Sequence, residues 1–290
     1  MPVQDPLIPV AALAARLHDP DLRVVDVRWV LGQPGAGRAA YLAGHIPGAV
    51  HVDVDTDLAL PPGPGLPGRH PLPDSRAFVR RLADLGIGDE HLVVVYDDVG
   101  GWVAARLWWM LDDLGHERVV VLDGDLAAWA AAGHALTTEV ANHPPAHLSL
   151  ATDWRRTIDR DALRTRLGSV RLLDARAGAR YRGETEPIDT VPGHIPTAVS
   201  APTDGNLTAD GRFLDRAALA VRFARLRADG QGDEVVTSCG SGVAACHNAL
   251  AMRAAGLPDP ILYVGSYSDW TRSGLPVETG PEPGAPPPAP

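Results

Sequence analysis

The stretch AGHIPGAV, residues 43–50, returns as PGHIPTAV at 192–199. Two more phrases do the same: VVDVR at 24–28 returns as LLDAR at 172–176, and LDGDLAAW at 122–129 as YVGSYSDW at 263–270. The order is kept and the separations are similar: 148 residues for Asp26 and Asp174, 149 for His45 and His194, 141 for Gly124 and Gly265. Self-similarity at a steady period marks a duplication, so the fold has to be read twice. Within each copy, apolar runs such as LVVVYD and EVVTSC read as buried strands, and residues 74–85 and 214–226 read as amphipathic helices. Alternating strands and helices favour a parallel sheet, because parallel neighbours need long crossovers that cover the faces. The expected class is therefore α/β, with two domains, each a mainly parallel sheet carrying helices on both faces.

The expected division is residues 1–145 and 146–280, cut inside the polar, proline-containing stretch at 137–154. The tail, 281–290, is rich enough in proline and glycine to be expected disordered. A chain of 290 residues is long enough for two full cores. Its formal net charge is −10, which argues against nucleic acid or an anionic membrane as partner. All 26 basic residues are arginine, which removes phosphate-loop and Schiff-base lysine chemistry. No apolar run approaches a membrane span, and the first residues carry acids where a signal peptide carries a basic region. A cytoplasmic location is expected. Two cysteines are too few for a disulfide framework or a thiolate metal cluster, and neither a metal nor an organic cofactor is expected.

The two cysteines differ in setting. Cys239 follows the strand-like VVTS and precedes Gly240, Ser241 and Gly242, with a helical pattern from Val243 onward. A thiol in such a turn faces orphan amides and the positive end of the helix dipole, which favour the thiolate. Glycines on either side of Ser241 allow successive N–H groups to line an anion nest. Cys246, seven residues on and inside the apolar stretch, reads as a core residue. Aligning the halves puts Asp97 opposite Cys239, so only one copy carries the thiol. The first copy is seven residues longer between its GHIP phrase and this point, which falls in the loop at 58–73 that carries His70.

The loop CGSGVAAC, the paired GHIP phrases, YLAGHIPGAVHV and YVGSYSDW together resemble the rhodanese superfamily in its tandem form, the thiosulfate and 3-mercaptopyruvate sulfurtransferases. The resemblance spans the chain except its tail. It implies an inactive N-terminal domain, an active C-terminal one, and transfer of a sulfane sulfur through a Cys239 persulfide cradled by the amides of Gly240, Gly242, Val243 and Ala244. It also implies a small-molecule donor and a thiol or cyanide acceptor, with a thiol-bearing protein as a further acceptor. Related phosphatases need an arginine six positions after the cysteine, and Ala245 stands there.

The loop CGSGV looks like that of the mercaptopyruvate group. The serine, histidine and aspartate relay associated with that group matches Ser241, His70 and Asp55, which would place the site at the domain interface. The family's carboxylate-binding arginine matches Arg180, with Arg182 as a weaker match. Two departures follow: Ile188 stands near the position of a second arginine after Glu-Pro, and Ala244 replaces the usual threonine. They feed the competing expectation of a non-catalytic or persulfide-relay module that binds a protein partner. His45, His194, Asp26 and Asp174 occur in both halves and are expected to be structural, since they cannot explain a one-sided activity. The tryptophans of RLWWM, 106–110, are expected to pack at the core or the domain interface.

Overall fold

The structure is a computed structural model that describes residues 5–227 and 232–287. The chain forms two compact units. The first comprises Met1–Leu60, Leu72–Arg155 and Thr208–Phe213; the second comprises Pro61–Pro71, Arg156–Leu207 and Leu214–Pro290.

The first unit contains β1 (Leu7–Pro9), α1 (Val10–Ala14), β2 (Leu22–Asp26), α2 (Ala36–Ala43), β3 (Val50–His51), α3 (Ser75–Asp84), β4 (Leu92–Tyr96), α4 (Ala104–Leu114), β5 (Val119–Asp123) and α5 (Asp125–Ala131). Its sheet has the order β1-β5-β4-β2-β3 and every pairing is parallel. β4, LVVVY, is buried at all five positions, as a central parallel strand covered on both faces must be. Asp74 caps α3 by accepting from the Ala77 amide, which sets the start of a helix expected from its apolar spacing.

The second unit repeats the plan with β6 (Thr157–Ile158), α6 (Arg160–Arg166), β7 (Arg171–Asp174), α7 (Gly178–Tyr181), β8 (Val199–Ser200), α8 (Arg216–Leu226), β9 (Val235–Ser238), α9 (Ala245–Ala254), β10 (Ile261–Tyr263) and α10 (Ser266–Arg272). The order β6-β10-β9-β7-β8 is that of the first sheet, and again all pairings are parallel. After β7 the chain adds β8 on one side and then β9 on the other. The carboxyl ends of β7 and β9 therefore flank the crevice where such sheets bind ligands, and Cys239 leaves β9 there.

The duplicated phrases are structural in both units. His45 is fully buried between the carbonyls of Tyr41 and Glu139, stacked on the Tyr41 ring at 3.9 Å. His194 repeats this with Tyr181 and Glu282, stacked at 3.8 Å. Asp26 accepts from the Arg28 amide, and Asp174 from the Arg176 amide, while each binds that arginine's guanidinium. Trp109 stacks on Trp154 inside the first unit.

Two boundaries differ from expectation. Residues 137–155 belong with the first unit, because their polar groups bond back to it: Ala146 N to the Ala83 carbonyl, Trp154 Nε1 to that of Pro73, and His147 through its carbonyl to Asp89 N. In the tail, the Pro283 carbonyl accepts from Thr197 N and that of Glu282 bonds His194. Proline removes a donor but leaves an acceptor, so a proline-rich segment can still satisfy buried donors. Residues 288–290 lie outside the described residues. Among the described residues no helix is long and apolar enough to cross a membrane.

Candidate active site

Cys239 is 3% exposed, at the point where β9 ends and the chain turns toward α9. Its Sγ accepts from the amides of Gly242 at 3.1 Å and Ser241 at 3.5 Å. Gly242 has φ +79°, and a Cβ there would stand 2.5 Å from the Val264 carbonyl oxygen, so this corner admits only glycine. The turn is stitched to the start of α10. Tyr267 N and Ser268 N donate to the carbonyls of Cys239 and Gly240, and Cys239 N donates to Ser266 Oγ. Ser266 is held at φ +51°, as is its counterpart Asp125 at φ +57° in the first unit. A non-glycine residue kept twice in this region marks a turn that the surrounding structure enforces.

The first unit shows what the same corner does with a carboxyl group. The Asp97 carboxylate, fully buried, accepts from Val99 and Gly101 through one oxygen and from Val103 and Ala104 through the other, at 2.8–3.1 Å. Burial pushes its pKa up to about 6, although the four backbone hydrogen bonds act the other way. The loop type is thus an amide cradle, filled by a carboxylate in one unit and by a thiol in the other.

Ser241 is 8% exposed, and its Oγ lies 2.7 Å from His70 Nδ1. His70 reaches it because the loop Pro61–Pro71, although it leaves the first half of the chain, packs as part of the second unit. Three contacts fasten that loop to α10. Arg69 N donates to Ser268 Oγ, Arg272 donates to the Gly68 carbonyl, and Gly68 at φ +71° lies so close to Gly265 that a Cβ would stand 2.4 Å from its carbonyl oxygen. Asp55 is in the first unit, where it accepts from Trp29 Nε1 at 2.9 Å.

A ladder of alternating charges borders the cysteine loop. Arg176, under the ring of Tyr267, binds Asp174 and Glu186; Glu186 binds Arg180; Arg180 and Arg69 both bind Asp189. Burial alone would raise the Glu186 pKa, but the Arg180 hydrogen bond and the amides of Asp189 and Ile188 outweigh it and hold it below the usual range. Arg180 is brought to the cysteine loop: a Cβ on Gly240 would stand 3.7 Å from its Nη1. Arg182 is turned outward and paired with Glu184, so the weaker of the two candidate arginines has no part in this cluster. Val243 is buried and Ala244 directly precedes α9. Cys246 is fully buried, with its Sγ on the Gly242 carbonyl. Sequence reasoning missed Arg69 and Asp189. Their only signals are adjacency to His70 in GRHPLP and to Ile188 in EPID.

A model of the rhodanese-like domain matches twice, at residues 9–132 and 159–273. The Pseudomonas aeruginosa protein named "Probable 3-mercaptopyruvate sulfurtransferase" is 47% identical over 278 residues, covering 94% of this chain and 98% of its own. A thiosulfate sulfurtransferase of Bos taurus is 35% identical over 266 residues, 87% of this chain and 85% of its own. Among solved structures, a 3-mercaptopyruvate sulfurtransferase from Leishmania major superposes with a TM-score of 0.80 at 30% identity, over 92% of this chain and 74% of that one.

Proposed function

Because the chain belongs to the rhodanese family and is a sulfurtransferase, we propose that it takes sulfur from 3-mercaptopyruvate in preference to thiosulfate, carrying it as a persulfide on Cys239. The observation that carries this reading is the 2.7 Å contact between Ser241 Oγ and His70 Nδ1 beside the thiol. The Cys239 thiolate attacks the donor sulfur, the S–S bond forms as the C–S bond breaks, and the electron pair leaves as the enolate of pyruvate. The donor's thiol proton has to leave sulfur and a proton has to reach carbon, which is the task a serine and histidine pair performs. Thiosulfate breaks an S–S bond and releases sulfite without a proton transfer, so the pair would stand idle.

The outer sulfur of the persulfide is anionic, and the amides from Gly240 to Ala244 surround it as those of the first unit surround the Asp97 carboxylate. A thiol or cyanide then attacks this sulfur and restores the thiolate. A thiol-bearing protein is a further acceptor that the same chemistry serves. The first unit, with Asp97 in the cradle, is the inactive one, and the second is catalytic. The acidic chain and the cytoplasmic location expected of it fit small, freely diffusing substrates.

Intact mass after exposure to each donor tests the reading. The expected gain is about 32 Da, abolished in Cys239→Ser, kept in Cys246→Ser and discharged by cyanide. His70→Gln and Ser241→Ala are expected to slow loading by 3-mercaptopyruvate roughly 100-fold or more while leaving thiosulfate loading within a few-fold. Equal losses with both donors would remove the proton-transfer role, and failure of both donors to load Cys239 would favour the persulfide-relay reading.

A further inference from the structure

Resting on Cys239 as the nucleophile, we propose that Asn206 is a positioning residue for the reaction: through His247 and Asn248 it fixes the first turn of α9, and with it the amides that face the sulfur, while Arg222 sets which way the Asn206 amide points.

The helix α9 begins without a local anchor. Ala244 precedes it and no side chain caps its first amides, a task that Ser, Thr, Asp or Asn usually performs. The cysteine turn joins the helix through backbone bonds, Cys246 N donating to the Val243 carbonyl and His247 N to that of Ala244, both at 3.1 Å. Whatever holds His247 therefore holds the far end of the turn.

Asn206 supplies that hold from outside. It ends the short turn Thr203–Asn206 that follows β8, and it is fully buried, as are His247 and Asn248. Its Nδ2 lies 3.1 Å from His247 Nδ1 and 2.8 Å from Asn248 Oδ1, and its Oδ1 accepts from Arg222 Nε at 2.9 Å. One side-chain amide thus ties the segment after β8 to both α8 and α9, with its two N–H groups and its oxygen all engaged.

The polarity of this network is set from α8. A guanidinium only donates and stays charged, so the atom that faces Arg222 Nε is the oxygen, and Nδ2 presents both N–H groups to α9. His247 Nδ1 then has to accept, which makes the ring neutral with its proton on Nε2. Asn248 Oδ1 also has to accept, which turns its own Nδ2 to the Ala201 carbonyl at 2.9 Å. Reversing one member would set buried groups against like groups, and a buried polar network that is only partly satisfied loses its rigidity. The first unit has other residues at this place. The positions 142 before His247 and Asn248 are Ala105 and Arg106, where alanine offers no polar side chain and Arg106 Nη2 donates to the Leu58 carbonyl at 3.2 Å. The arrangement goes with the thiol and not with the Asp97 carboxylate.

The wild-type protein gives the first test. Imidazole nitrogen shifts in histidine-labelled protein, with His247 assigned through His247→Gln, are expected to show a neutral ring with Nδ1 unprotonated; a proton on Nδ1 overturns the proposal. Asn206→Asp gives the second, since the carboxylate keeps the size and accepts from Arg222 but has no N–H for His247 or Asn248. Alkylation of Cys239 by iodoacetamide at pH 7, followed by peptide mass, reads the thiolate without any sulfur donor. Its rate, and kcat with the preferred donor, are each expected to fall roughly tenfold with KM within about threefold. Arg222→Met, a change at the partly exposed end of the network, is expected to give a smaller loss in the same direction, and it decides the question alone if Asn206→Asp does not fold. Unchanged alkylation in the folded variants, with only the denaturation midpoint lowered, would make Asn206 a structural residue and sink the proposal. If alkylation slows in the variants and no donor loads Cys239 even in the wild type, the positioning role stands and the persulfide reading falls.

Discussion

Asp97 and Cys239 stand at the same corner of two copies of one fold, and the difference between them is chemical rather than architectural. Asp97 gives four backbone amides an acceptor inside a fully buried turn. Asn in its place offers one acceptor oxygen and sets an NH₂ group against the amides of the other side. Asp97→Asn is therefore expected to destabilise the protein at pH 7 by about 2 kcal/mol or more, as measured by denaturant unfolding. The wild-type carboxyl adds a pH dependence. Its pKa rises from 3.8 unfolded to about 6 folded, so the folded state binds the proton more tightly. The stability linked to that proton is complete below pH 3.8, is lost as pH rises to about 6, and is constant above. The span is on the order of 3 kcal/mol. Asp97→Asn should flatten this part of the stability curve, and an unchanged slope between pH 4 and 6 would show that another group is responsible.

The turn between β9 and α9 works as an element because its shape is held from outside. Two carbonyls, the Cys239 amide and the Gly242 corner are all engaged by residues 264–268. Gly242→Ala puts a methyl group 2.5 Å from a carbonyl oxygen at φ +79°. The turn must then move, and its amides with it. Loading of Cys239 is expected to fall at least tenfold, since oriented amide donors lose effect when displaced. Gly274→Ala is the comparison: φ is +66° but nothing lies within 4 Å, so it should cost only about 1 kcal/mol of backbone strain and leave transfer intact. If the two variants lose the same activity, the close contact at 242 is not what positions the sulfur. The loop Pro61–Pro71 is a second element of this kind, carrying Arg69 and His70 on anchors supplied by α10.

At the scale of the whole molecule, the unit that carries Cys239 is discontinuous in sequence. A fragment that begins at Arg156 contains Cys239, Ser241, Arg180 and Asp189 but lacks Pro61–Pro71. Such a fragment is expected to lose most loading by 3-mercaptopyruvate even where circular dichroism shows it folded. A synthetic peptide spanning 58–73 should restore part of the rate. Full activity in the fragment would exclude His70 from the reaction. The duplication offers an economical account of this arrangement. The first copy carries Asp97 where the second carries Cys239, and its longer loop packs with the second unit.

Much of this was legible in the linear chain, because it depends on local chemistry and spacing. The α/β class follows from apolar runs alternating with amphipathic ones, the duplication from repeated phrases, and the place of Cys239 in a strand-to-helix turn from a thiol between a β-branched run and two glycines. Those signals survive without a fold because strand burial, capping and glycine turns act over a few residues. The tertiary structure decided which distant groups meet around the cysteine turn. It brought His70 to Ser241 across 171 positions and Arg69 to Asp189 across 120, sent Arg182 outward, and engaged the carbonyls of Glu282 and Pro283. The last of these ran against composition, which counts the donors that proline lacks and not the acceptors it keeps. Ion pairs and hydrogen bonds between remote segments leave no periodicity to read; they exist only once the sheet and its crossovers have placed both partners within about 3 Å of each other.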